Sequence, residues 1–164
     1  MIGTGTDERL LMYKVRDGRL GKCVHATRDI EPGELVIRGL GHRVPNRTRH
    51  SLQVDFDKHL VVPGPLELIN HSCDPNCGVI VRPEVDQIEI YARWPIAAGE
   101  ELGTDYAMFE HEILFMPGPC LCGSPVCRGK ITGYKDLPDD RRRAYGRFIA
   151  PYLLEIDSLV SQAG

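Results

Sequence analysis

The sequence lacks the two kinds of segment that would take the chain to a membrane. No apolar run approaches the roughly 20 residues that a bilayer-spanning helix needs. Residues 1–7 are polar and glycine-rich, without the basic start and apolar core of a secretion signal. We therefore expect a soluble, intracellular protein with no membrane partner.

An excess of positive charge is also missing. Lysine and arginine number 20 against 23 acidic residues, which gives a net charge of −3. A surface that binds nucleic acid has to be basic to neutralise phosphates, so the charge balance argues against such a partner. Between residues 84 and 112, eight acids accompany the single base Arg93. This segment either attracts a cationic substrate or is an ordinary solvated surface of strands and turns.

Low-complexity tracts and long linkers are absent as well, and 164 residues with 42% hydrophobic content suit one globular domain. Short apolar runs between turn-forming residues predict strands over the first two thirds of the chain. These runs are residues 35–37, 60–62, 79–81 and 88–91. Residues 30–34 and 96–100 both end in Gly-Glu after an apolar residue, and we expect them to form equivalent turns.

The pattern changes to helical spacing after Leu137. A helix start is indicated by Pro138, Asp139 and Asp140. Pro151 should split or kink the helix, because it cannot donate a backbone hydrogen bond. The residues available for the apolar face are Tyr145, Phe148, Ile149, Leu153 and Leu154.

Six cysteines are present, and four of them form two groups. Cys73 stands alone, whereas Cys120, Cys122 and Cys127 follow in a Cys-x-Cys-x4-Cys cluster. Four thiolates satisfy a tetrahedral Zn²⁺, and the expected compartment disfavours disulfides. We therefore predict a zinc site that joins the tail to the region of Cys73, with a redox-active or unrelated metal motif as the alternative. The remaining two, Cys23 and Cys77, are expected to be small buried hydrophobes.

Four separated motifs, taken together, resemble the SET-domain protein lysine methyltransferases with a cysteine-rich post-SET tail. The motifs are GKCVHATRDI at 21–30, NHSCDPN at 70–76, GEELGTDY at 99–106 and CLCGSPVCRG at 120–129. The resemblance implies a mostly β, α+β fold of small sheets with a knot-like crossing, a zinc-bound tail and a C-terminal helix. It divides the chain into a SET domain at 1–116, a post-SET tail at 117–133 and a helical segment at 134–164.

The resemblance also implies S-adenosylmethionine as cofactor and a lysine of a protein or peptide as methyl acceptor. Tyr106 would be the catalytic residue, because a tyrosine hydroxyl at the end of an apolar channel can orient the attacking amine. The zinc ligands would be Cys73, Cys120, Cys122 and Cys127. The cofactor-binding residues would be Gly21, Lys22, Cys23, Asn70, His71, Tyr106 and Leu121.

The chain departs from the family pattern at three positions. The family often has a glycine in place of Cys23, and it commonly has a threonine and then a larger residue where this chain has Gly103 and Thr104. Position 104 is associated in the family with the number of methyl groups added, which leaves the product open. These three residues favour one alternative, a catalytically silent, zinc-stabilised binding module. The small number of substrate-recognition elements favours another, methylation of a small-molecule amine or free amino acid.

Overall fold

A computed structural model describes residues 11–163, and in this range ten β-strands precede two α-helices. The strands are β1 (Tyr13–Gly18), β2 (Gly21–Ala26), β3 (Leu35–Leu40), β4 (His42–Val44), β5 (Leu52–Asp55), β6 (Lys58–Val61), β7 (Asn70–His71), β8 (Cys77–Arg82), β9 (Gln87–Ala92) and β10 (Gly103–Thr104). The helices are α1 (Asp139–Tyr145) and α2 (Pro151–Ala163). Short 3-10 helices cover Pro65–Leu68, Pro83–Val85, Tyr106–Met108, Tyr134–Asp136 and Gly146–Phe148. The predictions for residues 1–10 and 164 lie outside the described residues.

Within the described residues, the strands form small sheets instead of one large sheet. Strands β1 and β2 pair as an antiparallel hairpin, and the orders β3-β9-β8 and β4-β6-β5 are antiparallel sheets of three strands. Strands β7 and β10 form a short parallel pair that places Asn70 beside Gly103 and His71 beside Thr104. The predicted mostly β, α+β fold with a C-terminal helix is confirmed. The parallel pair brings the motifs at 70–76 and 99–106 together.

The predicted strands coincide with elements of the sheets. The runs at 35–37, 79–81 and 88–91 lie in β3, β8 and β9, and the run at 60–62 covers the end of β6 and one residue more. Most of β8 and β9 is buried, which agrees with the apolar run of β8, whereas β9 also buries the charged residue Glu89. Their side chains form the core together with those of β2, β3 and the C-terminal helices.

The two Gly-Glu segments form equivalent turns. Gly33 and Gly99 both have positive φ, at 87° and 90°, a backbone conformation that favours glycine. In each segment the last glutamate accepts from the backbone of the second residue: the N–H of Glu31 donates to the Glu34 carboxylate at 2.7 Å, and that of Ala97 donates to Glu100 at 2.5 Å. An antiparallel bridge between Ile30 and Ile96 then joins the turns.

The C-terminal segment is helical, and Pro151 splits it as predicted. Pro151 begins α2, where the first residues of a helix have no intrahelical partner for their N–H groups. Four of the five residues proposed for the apolar face are buried, but Leu154 is 49% exposed. Tyr152 takes the buried position instead, because the break between Tyr145 and Pro151 resets the helical phase. No helix in the described part of the chain is long and apolar enough to cross a membrane.

Candidate functional site

The four predicted zinc ligands converge. The sulfur atoms of Cys73, Cys120, Cys122 and Cys127 all lie within 4.8 Å of one another. The Cys73 and Cys120 sulfurs are 3.9 Å apart, close to the roughly 3.8 Å between ligands in a tetrahedral site with Zn–S bonds of about 2.3 Å. All six cysteines are free. The donor set and its spacing therefore fit one tetrahedral zinc ion.

Backbone geometry holds the tail around this cluster. Gly123 has a positive φ of 73° between the second and third cysteines, and a turn hydrogen bond joins the Cys127 N–H to the Ser124 carbonyl at 3.1 Å. The backbone N–H groups of Arg128 and Gly129 point at the Cys73 and Cys127 sulfurs, each at 3.4 Å. Such donors stabilise the negative charge that thiolate ligands carry.

A cavity of about 280 Å³ lies between this tail and the paired strands β7 and β10. Asn70 and His71 line it from β7, and Leu121 lines it from the tail. Leu121 is 51% exposed, so its side chain is free to pack on a molecule that enters. Three residues predicted to bind the cofactor, Asn70, His71 and Leu121, therefore share one cavity.

The β1–β2 hairpin reaches the same cavity, but through other residues than predicted. Arg19 and Leu20 line the cavity, and the Arg19 guanidinium donates a hydrogen bond to the Leu121 carbonyl. Gly21, Lys22 and Cys23 do not line it. Arg19 and Leu20 form the turn between the two strands, and this turn faces the cavity. Gly21, Lys22 and Cys23 already belong to β2.

The side chains of Lys22 and Cys23, which were predicted to bind the cofactor, have partners outside this cavity. Lys22 is exposed and forms an ion pair with Asp17, with 3.3 Å between the ammonium nitrogen and the carboxylate oxygen. Cys23 is fully buried, and its sulfur lies 3.2 Å from the Nε2 atom of His25. The expectation that Cys23 and Cys77 are buried holds for both.

Asn70 and His71 are each fixed by neighbours. The Asn70 amide donates to the Glu101 carboxylate at 2.8 Å. The Nε2 atom of His71 lies 3.3 Å from the Cys73 sulfur, and its Nδ1 accepts from the Tyr106 N–H at 3.4 Å. Burial lowers the pKa of His71 to about 4, so the imidazole is neutral at pH 7. His71 thus connects the thiol cluster with Tyr106.

Tyr106 begins a 3-10 helix that follows β10. Asp105 caps this helix, since its carboxylate accepts from the Ala107 N–H at 3.0 Å. The Tyr106 hydroxyl donates to the Ile69 carbonyl at 3.0 Å, and its ring contacts that of His71 edge to face at 5.3 Å between centroids. Burial raises the pKa of Tyr106 to about 12, which keeps the hydroxyl protonated.

Tyr106 lines a second cavity, of about 260 Å³. Much of its wall is apolar, and Thr104 also lines it. The apolar part of the wall includes Ile69, Val79, Phe109, Ile113, Leu114 and Phe115. Asn70 lines both cavities, so the two meet at the end of β7. A long apolar side chain with a polar tip fits such a passage.

Sequence reasoning missed the polar network behind Tyr106. Asp105 is fully buried, and its two carboxylate oxygens accept from the Arg128 guanidinium at 2.6 and 2.9 Å. The Tyr145 hydroxyl donates to the same carboxylate at 2.7 Å. Arg128 follows the last cysteine directly, a position at which a long cation could have been suspected of reaching back. The network joins the tail and α1 to the residue before Tyr106.

The acidic segment at 84–112 fits neither of its two interpretations. Five of its acids form ion pairs within the chain, so they are not a free surface that could attract a cation. The pairs are Arg38–Glu89, Arg43–Asp86, Arg47–Glu110, Arg128–Asp105 and Lys135–Glu112. Glu89, Asp105 and Glu110 are also buried, which a solvated surface would not require.

The chain is similar in sequence to a known protein family and to several of its members. The family model of the SET domain matches residues 21–107. A histone-lysine N-methyltransferase of Yarrowia lipolytica, named H3 lysine-4 specific, is 40% identical over 106 residues, which cover 63% of this chain and 9% of that protein. The histone-lysine N-methyltransferase trr of Drosophila melanogaster is 34% identical over 137 residues, 71% of this chain and 6% of trr. The chain thus spans less than a tenth of the length of these relatives.

Solved structures share the fold. The crystal structure of KRYPTONITE in complex with mCHH DNA, H3(1-15) peptide and SAH aligns with a TM-score of 0.58 and 22% identity, over 73% of this chain and 29% of that one. A second KRYPTONITE structure, with mCHG DNA and SAH, aligns with the same TM-score over 74% of this chain. At 22% identity this similarity shows a shared fold and nothing further.

Proposed function

The chain belongs to the SET-domain family, and from this membership we propose that it is an S-adenosylmethionine-dependent methyltransferase acting on the side-chain amine of a lysine in a protein. The relatives above are named as histone-lysine N-methyltransferases, which supports a protein lysine as acceptor. One observation carries the proposal: Asn70 lines two cavities, one beneath the cysteine tail and one whose partly apolar wall includes Tyr106.

The cavity beneath the tail would hold the cofactor. When bound, S-adenosylmethionine supplies a methyl group on a positively charged sulfur. The amide of Asn70 and the backbone around His71 offer both donors and acceptors to an amino-acid moiety or an adenine edge, and Leu121 offers an apolar surface. Gly21, Lys22 and Cys23 follow the turn of Arg19 and Leu20 into β2, and we propose that they contribute to cofactor binding through their backbone.

The apolar cavity would hold the stem of the substrate lysine and exclude water from its amine. A lysine amine with an ordinary pKa of about 10.4 must lose a proton before it can attack, and an apolar channel favours the neutral form. The Tyr106 hydroxyl already donates to the Ile69 carbonyl, so its oxygen is free to accept a hydrogen bond from the amine and orient it. Backbone carbonyls such as that of Ile69 would stabilise the partly positive methyl group during transfer.

The zinc ion would act through structure. Held by Cys73, Cys120, Cys122 and Cys127, it would fix Leu121 and Cys122 over the cofactor cavity, since both line that cavity. Because metal binding also supplies folding free energy, loss of zinc would release this part of the wall. Loss of zinc from the tail would therefore lower the affinity for the cofactor.

Calorimetric titration of S-adenosylmethionine into the zinc-loaded protein tests the proposal first. We expect saturable binding with one site per chain that disappears when a chelator removes the zinc. Transfer of labelled methyl groups to lysine peptides and to free amines should then favour the peptides. Transfer to free amines alone would support the small-molecule alternative, and absence of binding at millimolar cofactor would support the silent binding module.

A further inference from the structure

A second group of metal-binding side chains lies outside the tail. Cys23, His25 and Glu101 each present one ligand atom, and the three atoms all lie within 4.8 Å of one another. The group combines a thiol, an imidazole and a carboxylate, the three side-chain types that bind zinc in proteins. None of the three belongs to the four-cysteine cluster.

Strand pairing accounts for the convergence. Cys23 and His25 stand two residues apart in β2, so their side chains leave the same face of the strand. An antiparallel bridge places Glu101 directly opposite His25. Side chains at directly opposed positions share a face and have Cβ atoms about 5 Å apart. The backbone therefore brings all three side chains to one spot.

Neighbouring groups orient the histidine as a ligand. The Nδ1 atom of His25 lies 2.9 Å from the Gly99 carbonyl oxygen, which can only accept, so Nδ1 carries the proton. The lone pair of Nε2 then points at the Cys23 sulfur, 3.2 Å away. A second ring nitrogen bound to a backbone carbonyl is the usual arrangement of a metal-ligating histidine.

We propose that Cys23, His25 and Glu101 form a second site for a borderline-soft divalent cation such as Zn²⁺. A thiolate and a carboxylate together neutralise the charge of the cation, and Cys23 supplies the buried ligand of the site. Three protein ligands would leave one position of a four-coordinate ion open. Glu101 also lines the cofactor cavity and accepts from the Asn70 amide, so the site adjoins that cavity.

Metal content of the desalted full-length chain tests the site without reference to methyl transfer. After loading with zinc, we expect a second equivalent beyond that of the tail. Cys23→Ala should lose this second equivalent and keep the first. Cys77→Ala is the matched control, because Cys77 is equally buried but belongs to neither group, and it should keep both.

Two milder variants cover the case in which Cys23→Ala fails to fold. His25→Gln and Glu101→Gln change half-buried or exposed side chains, and Gln at 101 can still accept from Asn70. Each should weaken zinc at the second site by at least about tenfold. With Co²⁺ in place of zinc, the second equivalent should give a spectrum distinct from that of a four-thiolate site. A single equivalent in the unmodified chain, or a second one that survives all three substitutions, would overturn the proposal.

Discussion

Tyr106 lies on the wall of the apolar cavity and contacts the chain at and next to β7. Its ring contacts His71 and Phe109, and its hydroxyl donates to the Ile69 carbonyl at 3.0 Å. A buried tyrosine commonly donates to a backbone carbonyl for stability alone. What separates Tyr106 from such a residue is its position on the wall of an open apolar cavity, where its oxygen can also contact a substrate amine.

Replacing Tyr106 with phenylalanine should therefore reduce turnover and leave cofactor binding in place. We expect the rate of methyl transfer to a peptide lysine to fall by roughly 10²-fold, the scale of losing one oriented polar group at a reacting centre. Calorimetry should give nearly the same affinity for S-adenosylmethionine, because Tyr106 lines the proposed substrate cavity and not the proposed cofactor cavity.

Tyr152 offers the matched control for this substitution. Its hydroxyl also donates to a backbone carbonyl, that of Phe109 at 2.6 Å, but Tyr152 is 3% exposed and lines neither cavity. Tyr152→Phe should lower stability by about 1 kcal/mol without a comparable loss of turnover. Equal rates for Tyr106→Phe and the unmodified chain would remove Tyr106 from the proposed chemistry.

At the scale of elements, the cysteine tail is joined to the cavities by two links of different kinds. One is the thiol cluster, which includes Cys73 two residues after β7. The other is the Arg128–Asp105 ion pair, in which the Asp105 side chain is fully buried and that of Arg128 is 12% exposed. Removing one partner of such a pair leaves an uncompensated buried charge, which destabilises more than loss of the pair as a whole.

Arg128→Leu should lower the free energy of unfolding by about 3 kcal/mol, measured by urea denaturation with zinc present throughout. Adding Asp105→Asn to this variant should recover part of the loss, since the buried charge is then removed as well. Lys22→Leu is the control for loss of an exposed ion pair, because Lys22 and Asp17 are largely in solvent, and its stability should stay near that of the unmodified chain. A loss in Arg128→Leu no larger than in this control would show that the buried link does not hold the tail.

The sequence predicted what depends on neighbours along the chain, and it predicted the distant cysteine cluster from its motifs, but it missed distant partners that belong to no such pattern. The strands at β3, β8 and β9 follow from apolar runs, and the split at Pro151 follows from one residue. Asp105 gave no such signal, because Arg128 and Tyr145 are 23 and 40 positions away and meet it only in the folded chain. The sequence also did not indicate that Arg19 and Leu20 line the cavity beneath the tail, since a turn motif does not fix which residues face a cavity.

At the scale of the whole molecule, stability depends on the protonation of one buried acid, Glu110, whose pKa lies near neutral pH. Glu110 is 7% exposed, accepts from the Gln53 N–H at 2.9 Å and pairs with Arg47 at 2.7 Å. Burial raises the pKa of Glu110 to about 7 despite these partners. The folded chain therefore holds a proton at Glu110 between about pH 4.5 and 7, where the unfolded chain has released it.

Since the folded state binds more protons in this window, stability must fall as pH rises through it. From pH 5.5 to 8.5 this one group should lower the free energy of unfolding by about 2 kcal/mol. Glu110→Gln keeps the size and the acceptor oxygen but cannot ionise, so its free energy of unfolding should change less over the same range. The difference between the two chains in urea unfolding at both pH values isolates Glu110 from every other titrating group. Parallel pH profiles would mean that the Arg47 pair keeps Glu110 ionised throughout, and burial would then not be the dominant influence at this position.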